Sequence, residues 1–218
     1  MNPTRMALAA LVAVELTFSG GAMAIEEPSF EVVEKTGDIE IRQYRPFIVA
    51  ETLVEGDMDV ASRAGFRLIA DYIFGNNQSR VASTDKSSEK IAMTAPVTIQ
   101  PEARSEKIAM TAPVTIASQG ARWRVHFVMP GEYSLATLPI PRNPAVTLRE
   151  VPGKRYAALV FSGLAGEEKV REKTRVLQDW LKSRNLDFSA TPQLARYNPP
   201  WTLPFLRRNE ILIEISAL

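Results

Sequence analysis

Residues 39–74 read IEIRQYRPFIVAETLVEGDMDVASRAGFRLIADYIF, and this stretch decides the fold. Ile39–Gly56 is rich in β-branched and aromatic residues and reads as strands. Asp57–Phe74 changes period. Val60, Ala64, Leu68 and Tyr72 recur at four-residue steps, with Ala61, Ile69 and Ile73 beside them, the stripe of an amphipathic helix. Asp57 or Asp59 caps its start and Gly75 its end. Strands that run into a helix return downstream: Val146–Val151 and Arg155–Gly163 read as strands and Glu167–Ser183 as a helix. That helix carries Val170, Thr174, Leu177 and Leu181 in line, with Val176 and Trp180 flanking and a charged outer face. The triplets Phe47-Ile48-Val49 and Ala157-Ala158-Leu159 stand 110 residues apart, close to the spacing of the helices. Two strands follow each helix, KIAMTAPVTI and Trp123–Met129 in the first half, and segments near Gln193–Tyr197 and Glu210–Ile215 in the second. Phe30–Glu34 adds a strand at the front. Each half reads β-α-β-β, with its leading hairpin counted as one unit. Turn-rich links lie at Pro130–Pro144 and Asn198–Pro204. The expectation is one α+β domain, its sheet curled around or packed on two helices.

A second repeat is literal. SEKIAMTAPVTI at Ser88–Ile99 recurs without change at Ser105–Ile116, twelve identical residues at an offset of 17, so the segment is a tandem duplication. In each copy alternation turns Ile91, Met93, Ala95, Val97 and Ile99, or their counterparts, to one face. Pro96 and Pro113 cannot donate to a ladder, which predicts an edge or bulge there. The copies compete for one place in the sheet, or turn into a hairpin through Gln100–Arg104. The second copy is the expected occupant, because six residues separate Ile116 from Trp123.

Residues 1–24 read as a secretory signal peptide. Arg5 is basic, Met6–Phe18 is mostly apolar and Ala22-Met23-Ala24 offers small residues for cleavage. The apolar run is shorter than the roughly 20 residues a membrane span needs. The mature chain is expected at 25–218, periplasmic or secreted. The 218 residues are 45% hydrophobic and 23% charged, with a net charge of +1. That balance suits a globular chain and gives no broad field for nucleic acid or an acidic membrane. The chain has no cysteine and one histidine, His126. Disulfides, thiolate metal sites, cysteine nucleophiles and multi-histidine metal sites are excluded.

The segments IEIRQYRPFIVAET (39–52), KIAMTAPVT (90–98 and 107–115), FVMPGEY (127–133), TLPIPRNPAV (137–146), REVPGKRYAALVFSG (149–163) and LARYNPPWTLPFLRRNEILIEI (194–215) resemble the SOUL/haem-binding protein family. Six ordered blocks span about residues 28–216, and some bacterial members look to carry the same doubled strand. The resemblance implies a distorted β-barrel of two related halves flanked by two helices, similar also to the GyrI-type fold that takes up small hydrophobic ligands. It implies non-covalent binding of haem or a related tetrapyrrole, without chemistry of its own, so no enzyme is expected.

The family's site positions carry over unevenly. Gln43 stands where SOUL-type members have a candidate axial histidine. The other branch is thought to hold haem on the first helix, without an axial histidine, beside an Arg, a Met and a Lys; those positions read Arg63, Ala70 and Asp71 here. Arg67, one turn from Arg63, can compensate for the acid. The expected ligand site is therefore Arg63, Arg67 and Ala70, in a pocket beside the first helix, with haem as cofactor-like ligand and no metal ligand named. Alternation puts Trp123, Val125, Phe127 and Met129 on the core face, which leaves His126 outward and solvated beside Arg124. Met93 and Met110 are expected inward, as core filler. The loop Tyr197–Phe205, rich in proline and aromatics, reads as a pocket lid or as a plug for the barrel end. Arg207, Arg208 and Glu210 read as ion-paired structure. Two other functions compete: a protein-interaction module with a vestigial pocket, and a hydrolase, for which only scattered groups such as Glu40, Tyr44 and Glu51 offer themselves.

Overall fold

A computed structural model describes residues 26–80, 87–102, 122–199 and 201–216. Residues 1–24, expected to be a signal peptide, and the second copy of the duplicated strand lie outside them. In chain order the elements are β1 (Phe30–Thr36), β2 (Ile39–Tyr44), β3 (Phe47–Glu55), α1 (Met58–Ile73), β4 (Asn77–Gln78), β5 (Val97–Pro101), β6 (Arg122–Val128), β7 (Ile140–Pro141), β8 (Thr147–Val151), β9 (Arg155–Ser162), α2 (Glu167–Ser183), β10 (Gln193–Arg196) and β11 (Arg208–Ile215). Nine strands form one antiparallel sheet in the order β1-β2-β9-β11-β10-β5-β6-β3-β8, and β4 pairs β7 separately. The sheet curls into a half-barrel with both helices on one face, the expected α+β architecture.

The two halves are related by register. In the first, β3 pairs β6 and β6 pairs β5; in the second, β9 pairs β11 and β11 pairs β10. They meet where β5 pairs β10, Thr98 opposite Ala195. The leading strands are exchanged. β2 lies two residues before β3 in sequence, yet pairs with β9; β8, just before β9, pairs with β3. Each half was expected to keep its own hairpin. Instead Arg45-Pro46 breaks the run after β2, since proline has no donor and restricts the residue before it. The hairpin that forms is β1–β2, turning at Gly37 with φ +58°, where a side chain would be strained.

The place between β10 and β6 is filled by the first copy, where the second was expected. Val97–Pro101 lies between β10 and β6, as a central strand. Its approach is anchored upstream: the Ile91 amide donates to the Ile73 carbonyl (2.9 Å), and Asn77 Nδ2 donates to the Glu89 carbonyl (2.7 Å). The strand begins only after Pro96, so the missing donor falls outside the ladder. Before it the chain is irregular, and Met93 is exposed rather than inward.

On the helix face the core gathers Ile39, Ile41, Ala50, Ile69, Tyr72, Phe127, Leu177, Ile211 and Ile213, among others. The opposite face is also covered. Tyr44, Ala95, Tyr156, Ala158, Ala195, Tyr197 and Leu212 form a second cluster with Phe30 and Phe47 against it. This is why His126, expected in water, is buried: alternation turns it away from the helices, and that face of the sheet is dry too.

Candidate functional site

The helices differ in how they sit on the sheet. Asp57 caps α1 by accepting from the Val60 amide (2.8 Å), and the helix buries Met58, Ala61, Ser62, Gly65, Ile69, Ala70, Tyr72 and Ile73. The buried stripe is turned by about one residue from the Val60–Tyr72 line, leaving Val60 exposed. Gly65 is the point of closest approach. A Cβ there would stand 2.6 Å from Val125, so only glycine lets the helix lie this close. The register that superposes the halves puts Thr174 at the place of Gly65. α2 buries only Leu177 and Leu181, both in its C-terminal half. Its N-terminal half stands off the sheet.

The gap is a crevice of about 420 Å³. Val170 and Thr174 form its α2 wall, with Ile99, Leu194 and Ile211 from the sheet and Met58 and Trp123 at one end. The Trp123 ring is fixed, because its Nε1 donates to the Gly56 carbonyl at 2.9 Å. Charge is confined to Glu167, Arg171 and Arg175, all on α2. Glu167 and Arg171 pair at 3.3 Å, but both are largely exposed, so the pair contributes only a few tenths of a kcal/mol, of order ~0.3. Arg175 is exposed and has no ion-pair or hydrogen-bond partner among the described residues. The arrangement suits a flat apolar molecule that carries an acid at one edge. Met58 is the single lining residue whose side chain is of a type that ligates haem iron.

A second hollow, about 30 Å³, lies on the opposite face among Tyr44, Phe47, Thr98, His126 and Tyr156, and is too small for an organic ligand. His126 Nδ1 is buried there without a hydrogen-bond partner among the described residues. Burial pushes the imidazole down to about 4, against the pull of Glu51, so the ring is neutral at pH 7. Glu51 is itself occupied: Arg124 Nη1 donates to it at 2.8 Å, and Arg149 at 2.8 and 3.1 Å.

Next to this hollow runs a buried ionic cluster. Glu210 is fully buried and accepts from Arg42 (2.7 and 3.1 Å), Tyr197 (2.7 Å) and Arg208 (2.8 and 3.0 Å). Burial alone would raise its pKa, but the Arg42 guanidinium and the Tyr197 hydroxyl hold it below the usual range. Burial also pushes the Tyr44 hydroxyl, which accepts from Arg42, up to about 12. The Arg208–Glu210 pairing follows the expectation. Arg42 and the two tyrosines were not foreseen, although Arg42 and Tyr44 share a strand face with Glu40. Every acceptor is satisfied, so the cluster reads as structure.

The family model for the SOUL heme-binding protein matches this chain twice, at residues 25–106 and 99–214. The chain belongs to the SOUL haem-binding protein family. The first match contains one copy of the doubled strand and the second match contains the other. No curated protein matches this SOUL chain. Solved structures resemble its fold at low identity. The EcmrR C-terminal domain is 9% identical with a TM-score of 0.57, covering 83% of this chain and 98% of that one. EcmrR in a DNA complex gives 9% and 0.56, with 83% of this chain and 57% of that one covered. A hydrolase from Listeria innocua gives 10% and 0.53, with 84% of this chain and 94% of that one covered.

Within this SOUL fold the residues that the resemblance implied are placed as follows. Arg63, Arg67 and Ala70 follow one stripe of α1; the two arginines are exposed and Ala70 is buried. None of the three lines either hollow. The larger crevice lies by the second helix and meets the first only at Met58, because Gly65 closes the first against the sheet. Gln43 is half-buried and donates to the Tyr44 carbonyl. Met110 lies outside the described residues. The loop after β10 is neither lid nor plug: Trp201, Leu203 and Phe205 are exposed and touch neither hollow. The crevice left no sign in the sequence echo, which sets Arg175 against Gly65; only the strand register brings Thr174 there.

Proposed function

We propose that this SOUL protein binds haem, a related tetrapyrrole or a similar planar apolar molecule, without a covalent bond, in the crevice under α2. One observation carries the reading: a 420 Å³ apolar hollow with unpaired Arg175 at its rim, in a chain of a haem-binding family. The volume falls in the range of small-molecule sites. Leu194 and Ile211 would meet one side of a flat guest and Val170 and Thr174 the other, with Trp123 at its end. Arg175, and Arg171 once released from Glu167, would face its carboxylates. Haem, when bound, supplies a redox-active iron; this chain supplies shape, apolar cover and cationic anchors. The protein is proposed as a binder rather than a catalyst, at work after export to the periplasm or beyond.

A second reading keeps the anchor on α1. Arg63 and Arg67 lie one turn apart, exposed and without an ion-pair or hydrogen-bond partner among the described residues. Titration of the chain from Ile25 with haemin, followed in the Soret band, separates the two. Saturable binding at low micromolar haemin is expected, lost in Thr174→Trp, which fills the crevice, and weakened about tenfold in Arg175→Ala. Loss in Arg63→Ala with Arg175→Ala unaffected would move the site to α1. No saturable shift in the parent chain would end both readings.

A further inference from the structure

We infer that the loop between β10 and β11 seats the protein on a phospholipid surface. Trp201 is 83% exposed and Phe205 69%, and Leu203 and Leu206 are more than half exposed: four large apolar side chains within six residues. Leu164, also more than half exposed, joins them from the β9–α2 turn. Register brings it there, since Arg208 pairs with Ser162 and the short 3-10 turn Pro204–Leu206 packs on β9. The loop does not collapse over these side chains because its frame is tied. The Tyr197 amide donates to the Arg208 carbonyl (3.2 Å), the Arg208 amide to Asn198 Oδ1 (2.6 Å), and Arg207 Nε to the Thr202 carbonyl (2.8 Å). Apolar side chains held in water on a fixed frame mark a surface that meets something.

Chemistry favours lipid over a protein partner. No acid lies between Tyr197 and Asn209 in the sequence, and Arg207 and Arg208 stand behind the apolar tip, Arg208 held in place by Glu27 and Glu210. Tryptophan and phenylalanine outermost, with guanidiniums behind, is the order of groups that a bilayer interface accepts. A protein interface of useful strength would need interleaved polar partners, about one hydrogen bond per 100–200 Å². The tip offers a single polar side chain, Thr202, half-buried. A second observation points the same way. Glu27, at the start of the described chain, accepts from Arg208 at 3.0 Å, so the chain enters the fold at the base of this loop. Eight residues join Glu27 to the apolar run Met6–Phe18, a reach of at most about 30 Å. A membrane that takes up that run is within reach of the loop, and the loop can act alone if the run is removed.

The test uses the chain from Ile25, which carries every described residue, and mixed phosphatidylcholine and phosphatidylglycerol vesicles. Co-sedimentation is expected, with a blue shift of Trp201 emission and its quenching by brominated acyl chains. Trp201→Ser with Phe205→Ser should lower the partition coefficient by about tenfold while the circular dichroism spectrum is kept. Trp201→Phe should retain binding. The inference is overturned if the parent chain ignores vesicles, if the double variant binds as well as the parent, or if the double variant instead abolishes self-association in sedimentation, which would make the loop a protein interface.

Discussion

His126 and Glu210 hold the same place in the two halves. Each sits on the strand that pairs with the helix-feeding strand, one between Thr98 and Glu51, the other between Ala195 and Val160. Both are buried in the face away from the helices. The first half keeps its group neutral, with Nδ1 unpartnered among the described residues; the second keeps its group charged and surrounds it with two guanidiniums and a phenol. The difference teaches what a buried ionisable position requires. A charge survives only where every lone pair has a donor, and small neighbours such as Ala195 and Ala158 leave room for Arg42 and Tyr197. Where burial is deep and the nearby acid is already taken, as Glu51 is by Arg124 and Arg149, the imidazole stays uncharged.

The strongest way to break this contrast is to remove Arg42. Arg42→Met leaves a buried carboxylate short of its main partner and should cost about 3–5 kcal/mol in urea unfolding. Arg42→Met with Glu210→Leu should recover much of that loss, because no charge is then stranded. A double variant as unstable as the sum of the singles would show that the pair is not coupled.

The neutral side is sharpened by pH. The folded imidazole titrates near 4, below its unfolded value of 6.5. The unfolded chain therefore takes up the proton first. His126 contributes its full stability above pH 6.5 and loses it as pH falls towards 4, up to about 3 kcal/mol. The Glu210 contribution has the same sign in a lower window: its pKa is lowered, so its stability is full above the ordinary carboxylate range and is lost as pH falls through and below that range. His126→Asn should flatten the stability profile between pH 6.5 and 4.5; an unchanged slope would assign the acid sensitivity elsewhere.

The smallest effect compares the helices. Gly65→Ala puts a methyl 2.6 Å from Val125 and should destabilise by about 1–2 kcal/mol, overpacking outweighing the helix preference for alanine. Thr174→Ala, at the matching position of α2, should stay within about 0.5 kcal/mol and widen the crevice. Equal effects in thermal melts would mean that α1 and α2 are packed alike.

The sequence carried the elements better than their partners. Strand and helix periods located β2, β3, α1, β9 and α2, and the 110-residue echo anticipated the related halves. It could not show that β2 skips β3 to pair with β9, since pairing across the sheet leaves no local pattern. Alternation gave the side of His126 but not its burial, because a half-barrel dries both faces of its sheet. The identical strands could not choose between themselves by side chain, so the docked copy was misassigned. The crevice was harder still: it depends on a helix standing off, which a stripe of apolar residues does not record.

The exchange of β2 and β8 has a thermodynamic corollary. Neither half owns a complete set of neighbours, so neither can melt and leave its twin standing. Denaturation should run as one transition, and a guest that steadies α2 will raise the melting temperature of α1 by the same amount.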